Sequence, residues 1–162
     1  MPPQYGGTKP FLRFKPEKDF LGLVWYNFGV EKEIYLEPIK VVYTNSFGHP
    51  SHSDAFARLE KIVPLKGNKF YATYDAKTQE YCACAEVETE DQIKRYKLPE
   101  KIIAGGWYVF TELKGPFNEV VKKIAPTFDD LAKKFTSDIT RLPVEFYKRH
   151  THIILYLPIL KK

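Results

Sequence analysis

Apolar positions along the chain switch from a period near two to a helical period and back, and they do so twice. Residues 33–47, EIYLEPIKVVYTNSF, mix β-branched and aromatic side chains as a strand does, stopped by Gly48-His49-Pro50. Ser53 stands as an N-cap before Ala55, Phe56, Leu59, Ile62 and Val63, which recur at helical spacing. Two strands follow, KFYATYD and EYCACAEVE, joined by the polar AKTQ. The order then returns: residues 101–115, KIIAGGWYVFTELKG, predict a strand, and PFNEVVKKIAPTFDDLAKKF predicts a helix that Pro126 breaks or kinks, with Thr127 free to recap it. VEFYKRH and HIILYLPIL close a second strand pair.

Val42, Tyr43, Thr44 and Gly48 match Val109, Phe110, Thr111 and Gly115 without a gap, and each copy feeds a helix. The pattern predicts an α+β fold, a tandem pseudo-twofold pair of strand-helix-strand-strand modules. Together they form a concave antiparallel sheet with helices on one face and a groove between the modules. The expected division is an N-terminal arm and first strand region at 1–32, module one at 33–88, a charged linker at 89–100 and module two at 101–160.

Composition narrows the class. An apolar fraction of 44% with 15% aromatic residues excludes a disordered chain. The net charge of +5 is spread without runs of like sign, which reads as a solvated basic surface rather than a nucleic-acid footprint. Residues 1–32 carry no helix pair, so no sequence-specific DNA reader is expected there. Cys82 and Cys84 are the only cysteines; two apart on a strand they share a face, and a bond between them is awkward. No disulfide framework, secretory segment or long apolar run is visible, so a soluble, cytoplasmic protein is expected. No second Cys or His pair stands at ligand spacing, and neither metal nor cofactor is expected. FLGLVWYNFGV at 20–30 is too short to span a bilayer; its alternative reading is the trailing end of a membrane anchor.

Candidate chemistry sits mostly in the second half. Alternation puts Trp107, Val109, Thr111 and Leu113 on one face and Tyr108, Phe110 and Glu112 on the other, a carboxylate beside two rings that suits a cationic or amphiphilic ligand. The competing reading is a strand-end glutamate beside Lys114 that points to water. In the last strand His152 and Tyr156 alternate with core-facing Ile153, Leu155 and Leu157. Glu86 and Glu145 lie among apolar neighbours as secondary candidates for buried acids with raised pKa, with edge exposure as the alternative. Tyr43 and Tyr74 complete the expected ligand-binding set of Tyr43, Tyr74, Tyr108, Phe110, Glu112, Glu145, His152 and Tyr156. Catalytic residues are not assigned: no nucleophile elbow, zinc-protease, phosphate-loop or dinucleotide pattern is present.

GGWYVFTELKGPF, PVEFY and ILYLPI in that order, with EPIKVVYTNSFG, AFARLEKI, TYD and EYCACAEV before them, resemble the GyrI-like small-molecule-binding domain over about residues 33–160. The resemblance implies a groove that binds small molecules, often aromatic cations. It also implies two other branches: hydrolases of cyclopropane-bearing toxins, and protein-interaction members that inhibit gyrase or act as membrane-anchored adaptors. The chain departs from the family pattern at Ile154, where a glutamate is frequent, at Leu113 for a histidine, at Phe117 for a tyrosine, and at Tyr74-Asp75, which no proline follows. With no acid at Ile154, two alternatives stay open: Glu112 substitutes for it from the neighbouring strand, or His152 favours a neutral or anionic ligand. The expected function is a protein that encloses a flat aromatic or amphiphilic ligand, with a hydrolase and a protein-interaction module as alternatives.

Overall fold

The computed structural model describes residues 31–48 and 52–161, so residues 20–30, His49 and Pro50 lie outside it. Eight antiparallel strands form one sheet: β1 (Lys32–Leu36), β2 (Ile39–Phe47), β3 (Phe70–Asp75), β4 (Glu80–Glu86), β5 (Glu100–Ile103), β6 (Gly106–Lys114), β7 (Val144–Arg149) and β8 (His152–Pro158). Their spatial order is β1-β6-β8-β7-β3-β4-β2-β5. Three helices, α1 (His52–Glu60), α2 (Glu90–Tyr96) and α3 (Phe117–Lys134), complete the α+β fold.

The two halves repeat at the level of packing. β2 and β6 bury their nine residues in the same pattern, and each feeds a helix that returns to a hairpin, β3-β4 or β7-β8. Each half also lends a strand to the other, since β1 pairs with β6 and β5 pairs with β2. The expected strands at 33–47 and 101–115 are therefore each two strands. Pro38 and Gly105 mark the breaks. Only Glu37 and Pro38 link β1, at one edge of the sheet, to β2 beside the opposite edge. Two residues span at most about 11 Å. The edges must meet at that end, which curls the sheet into a half-barrel. At the crossing, a side chain on Gly105 would strike the Leu36 carbonyl and Pro38 at 2.8 Å.

All three helices cover the same face. Thr44 Oγ1 donates to the Ala55 carbonyl at 2.6 Å, and Ala55, Leu59 and Val63 pack on Val42, Ala72, Ala83 and Ala85. Small residues on β3 and β4 let α1 sit close. On α3, Val120, Ile124, Phe128 and Leu131 recur at helical spacing and pack against Val109, Leu113, Ile153, Leu155 and Leu157. This burial holds α3 continuous over 18 residues through Pro126, so of the expected break or kink the break does not occur, and Thr127 starts no second helix. Pro126 and Lys122 are exposed, so water can satisfy the Lys122 carbonyl that loses its helical donor.

Two further differences are local. α1 begins at His52, so Ser53 lies inside its first turn rather than capping it. The charged segment 89–100 holds α2: Thr89 accepts from the Gln92 amide while the Gln92 side chain accepts from the Thr89 amide, a complete capping box. Tyr96, Ile93 and Leu98 then pack on the α1 core.

Candidate functional site

Between α1 and α3 the sheet is left bare over its two central strands, and a groove of about 1130 Å³ opens there. Its floor is β3 and β7. Phe56 of α1 and Phe117, Val121, Ile124 and Phe128 of α3 form its walls, and Tyr74, Tyr81 and Tyr147 rise from the strands. The Phe56 ring meets Tyr147 edge-on with centroids 4.9 Å apart. The volume suits a drug-sized molecule, and an apolar lining with few polar groups is what such ligands require.

One acid sits at the centre. Glu145 is 7% exposed, and its Oε1 accepts from the Tyr147 hydroxyl at 2.6 Å and from the Tyr81 hydroxyl at 3.5 Å. No Lys or Arg pairs with it among the described residues, and Oε2 has no hydrogen-bond partner among them. Burial pushes its pKa up to about 7, against the pull of the two phenol donors. Burial also raises the Tyr147 and Tyr81 hydroxyls, with Glu145 adding to both, so they remain protonated donors. A carboxylate held in this way can answer a ligand cation, or in its protonated form donate to a ligand oxygen.

The position follows from the pseudo-symmetry. The row Asn45–Cys82–Thr73 in the first half corresponds to Glu112–Ile154–Phe146 in the second. On that register Tyr74 corresponds to Tyr147, Asp75 to Lys148 and Ala72 to Glu145. Ala72 and Glu145 are also cross-strand partners, so the pseudo-twofold axis runs between them. The two tyrosines flank the centre of the groove symmetrically, and one half alone supplies a carboxylate.

The expected site residues are divided by the sheet. Tyr74 and Glu145 line the groove. Tyr43, Tyr108, Phe110, Glu112, His152 and Tyr156 lie on the inner, curled face with Tyr71, Phe146 and both cysteines, through the sheet from the helices. The alternation that separated Val109, Thr111 and Leu113 from Tyr108, Phe110 and Glu112 holds; the helices pack on the first set. Tyr108 is fully buried, its hydroxyl donating to the Ala104 carbonyl and its ring beneath the Arg141 guanidinium at 4.8 Å. Glu112 is paired, with His152 Nε2 at 2.8 Å from its Oε1 and Lys114 Nζ at 3.6 Å. Tyr156 is half-buried at 6.2 Å from Tyr108, and burial, then Glu112, raises its hydroxyl pKa. Tyr43 lies 5.2 Å beneath Lys101 Nζ, which donates to Thr73 Oγ1. Glu86 accepts from Tyr71 at 2.8 Å on the same inner face. Cys82 and Cys84 are buried free thiols, and burial pushes Cys84 up to about 12.

Sequence reasoning missed Phe56, Tyr81, Phe117, Phe128 and Tyr147 as groove residues. Phe56 reads as helix core, and it is core on one side; only the gap between the helices exposes its other edge.

Neither a family model nor a curated protein matches the chain. Solved structures do share its fold. An integron cassette protein from the mobile metagenome of Vibrio cholerae has a TM-score of 0.61 at 12% identity, covering 82% of this chain and 97% of that one. SAV2435, bound to tetraphenylphosphonium, has a TM-score of 0.57 at 13% identity over 80% of this chain and 93% of that one. The C-terminal domain of EcmrR scores 0.57 at 13% identity over 83% and 99%. At 12–13% identity these likenesses show a shared fold, that of SAV2435 and the EcmrR domain. No helix among the described residues is long and apolar enough to cross a membrane.

Proposed function

We propose that the chain is a GyrI-like small-molecule-binding protein that encloses a flat aromatic or amphiphilic ligand in the groove between α1 and α3. The observation that carries this reading is Glu145: a buried carboxylate without a protein cation, on the axis of a groove walled by aromatic rings. An unpaired acid in such a place costs folding free energy, and a ligand that bonds to it recovers that cost. The tetraphenylphosphonium held by SAV2435 supports an apolar aromatic guest for this shape. The test is thermal shift and calorimetry with tetraphenylphosphonium and with neutral triphenylphosphine oxide. Tight binding of either that Tyr147→Ala or Phe128→Ala weakens supports the groove; binding of neither, at millimolar concentration, sinks it.

A hydrolase reading rests on the same residue, since an acid with pKa about 7 is poised to take a proton from water at neutral pH. Turnover of a strained cyclopropane substrate that vanishes in Glu145→Gln distinguishes it from stoichiometric binding.

A further inference from the structure

The groove is electrically lopsided along its length. β3 and β7 run antiparallel, so the end of β3 and the end of β7 lie at opposite ends of the groove. Where the pseudo-symmetry places equivalent residues, the charges are opposite: Asp75 at one end, Lys148 at the other. Neighbours reinforce each sign. Asp129 lines the Asp75 end, with Lys77 as its one unpaired cation; Arg149 and His150 line the Lys148 end, with Glu60 as its acid. Asp138 also faces the Asp75 end, but its charge is taken by Arg141 at 2.8 Å. Lys148 and Arg149 are exposed and form no ion pair among the described residues, Glu60 included. α3 starts at this same end, because the Gly115 amide just before it donates to the Thr151 carbonyl; Pro116 gives the helix no side-chain cap, and Phe117 lines the groove. Unsatisfied amides there add positive potential. The second, independent pointer to a ligand is the buried, unpartnered Glu145 oxygen midway along the floor.

Taking the groove as a ligand site, as above, we propose that its ligands are elongated amphiphiles bearing an oxyanion head, a carboxylate, sulfonate or phosphate. The head seats against Lys148 and Arg149, and the apolar body lies over Phe56, Tyr147 and Phe128. Arg149 offers the forked donor geometry that such heads take up, and Lys148 a second charge. Glu145 faces the body of the ligand and not its head, and in its protonated form it donates to a mid-chain oxygen. The polarity fixes the direction in which the ligand lies: head toward the β7–β8 turn, tail toward the β3–β4 turn.

The experiment uses three pyrene probes on a four-carbon linker that differ only in the terminus: carboxylate, alcohol and trimethylammonium. Fluorescence titration at low salt is expected to show the carboxylate binding about tenfold tighter than the alcohol, the scale of one charge-assisted contact. The double variant Lys148→Gln, Arg149→Gln is expected to bring the carboxylate down to the affinity of the alcohol, as is raised salt. Equal binding of carboxylate and alcohol, or tightest binding of the trimethylammonium probe, overturns this inference and leaves the groove reading standing. Failure of all three probes overturns both. Circular dichroism of the double variant checks that its fold is retained; if it is not, the single variant Lys148→Gln carries the same comparison with a smaller fall.

Discussion

Glu145 faces Ala72 across the β7–β3 pairing, and the pseudo-symmetry makes each the counterpart of the other. A residue on such an axis meets its own equivalent, so a glutamate in both halves would set two carboxylates against each other in a dry site. The chain carries one acid and one methyl group instead. The single acid has a definite effect on stability. Its pKa of about 7 in the fold exceeds the ordinary 4.5, so the folded state holds the proton more tightly than the unfolded chain does. The contribution of Glu145 to stability is therefore highest at low pH and falls as pH rises from 4.5 to about 7, by ~3 kcal/mol as an upper bound. Glu145→Gln is expected to remove this fall. Urea denaturation of both proteins across the window should show the variant gaining on the parent as pH rises; parallel curves would mean that Glu145 titrates as an exposed acid does.

Tyr147 supplies the short bond to that carboxylate, 2.6 Å, from the next groove-facing position on the same strand. Tyr147→Phe keeps the ring against Phe56 and removes the donor. The pKa of Glu145 should then rise above about 7, because burial is left with only the distant Tyr81 hydroxyl opposing it. Carbon-13 NMR titration of labelled glutamate reads this directly, and an unmoved midpoint would show that the bond does not hold the charge. The stability cost at acid pH should be small, roughly 1 kcal/mol, since the protonated acid loses one acceptor contact and no ion pair.

Much of the architecture is legible in the sequence because the repeat is carried by side-chain alternation. Val109, Thr111 and Leu113 against Tyr108, Phe110 and Glu112 give the two faces of β6 correctly, and Ile153, Leu155 and Leu157 mark the buried side of β8. Alternation does not say which face bears the gap. That depends on α1 and α3 lying too far apart to cover β3 and β7, a long-range fact of packing, so Glu112 and Glu145 look alike as candidates until the helices are placed. The breaks at Pro38 and Gly105 are visible as residues, but their role in closing the curled sheet is set by pairing between distant strands. Thr89-x-x-Gln92 is a legible capping signal that the surrounding charge obscured. Pro126 misleads for the opposite reason, since a buried apolar stripe outweighs one missing hydrogen bond on a wet helix face.

Arg141 ties the break between β5 and β6 to the segment that follows β8. Its guanidinium donates to the carbonyls of Gly105, Trp107 and Ile159, while its Nε donates to Asp138 at 2.8 Å. Thr140 and Arg141 together hold the Asp138 carboxyl down at about 2. Arg141→Ala is expected to cost about 3 kcal/mol, because the Gly105 and Ile159 carbonyls lose the guanidinium donor, the Trp107 carbonyl keeps only the Ile159 amide, and the Tyr108 ring loses its cation. Gly106→Ala should mimic part of this effect: its φ is +129° and an added Cβ would lie 2.6 Å from Arg141 Nη1. Chemical denaturation of both variants checks the size and the order; a Gly106→Ala protein as stable as the parent would show that the guanidinium can move without loss.

Glu112 and Glu145 make the sharpest comparison, because each is a carboxylate beside aromatic rings and the sheet separates them. Glu112 is solvated and already matched by His152 at 2.8 Å and Lys114 at 3.6 Å, whereas Glu145 meets only phenols. A ligand cation at Glu112 must compete with the Lys114 ammonium, the His152 ring and water, and an ion pair as open to solvent as Glu112–Lys114 is worth under about 1 kcal/mol. At Glu145 it meets no competitor and a low dielectric. For tetraphenylphosphonium above pH 7, Glu145→Gln is therefore expected to weaken binding at least about tenfold, the effect of losing one buried charge contact, and Glu112→Gln less than about twofold. The reverse ranking in calorimetry would place the ligand on the inner face, among Tyr43, Phe110 and Tyr156, and would reassign the site to the side of the sheet away from the helices.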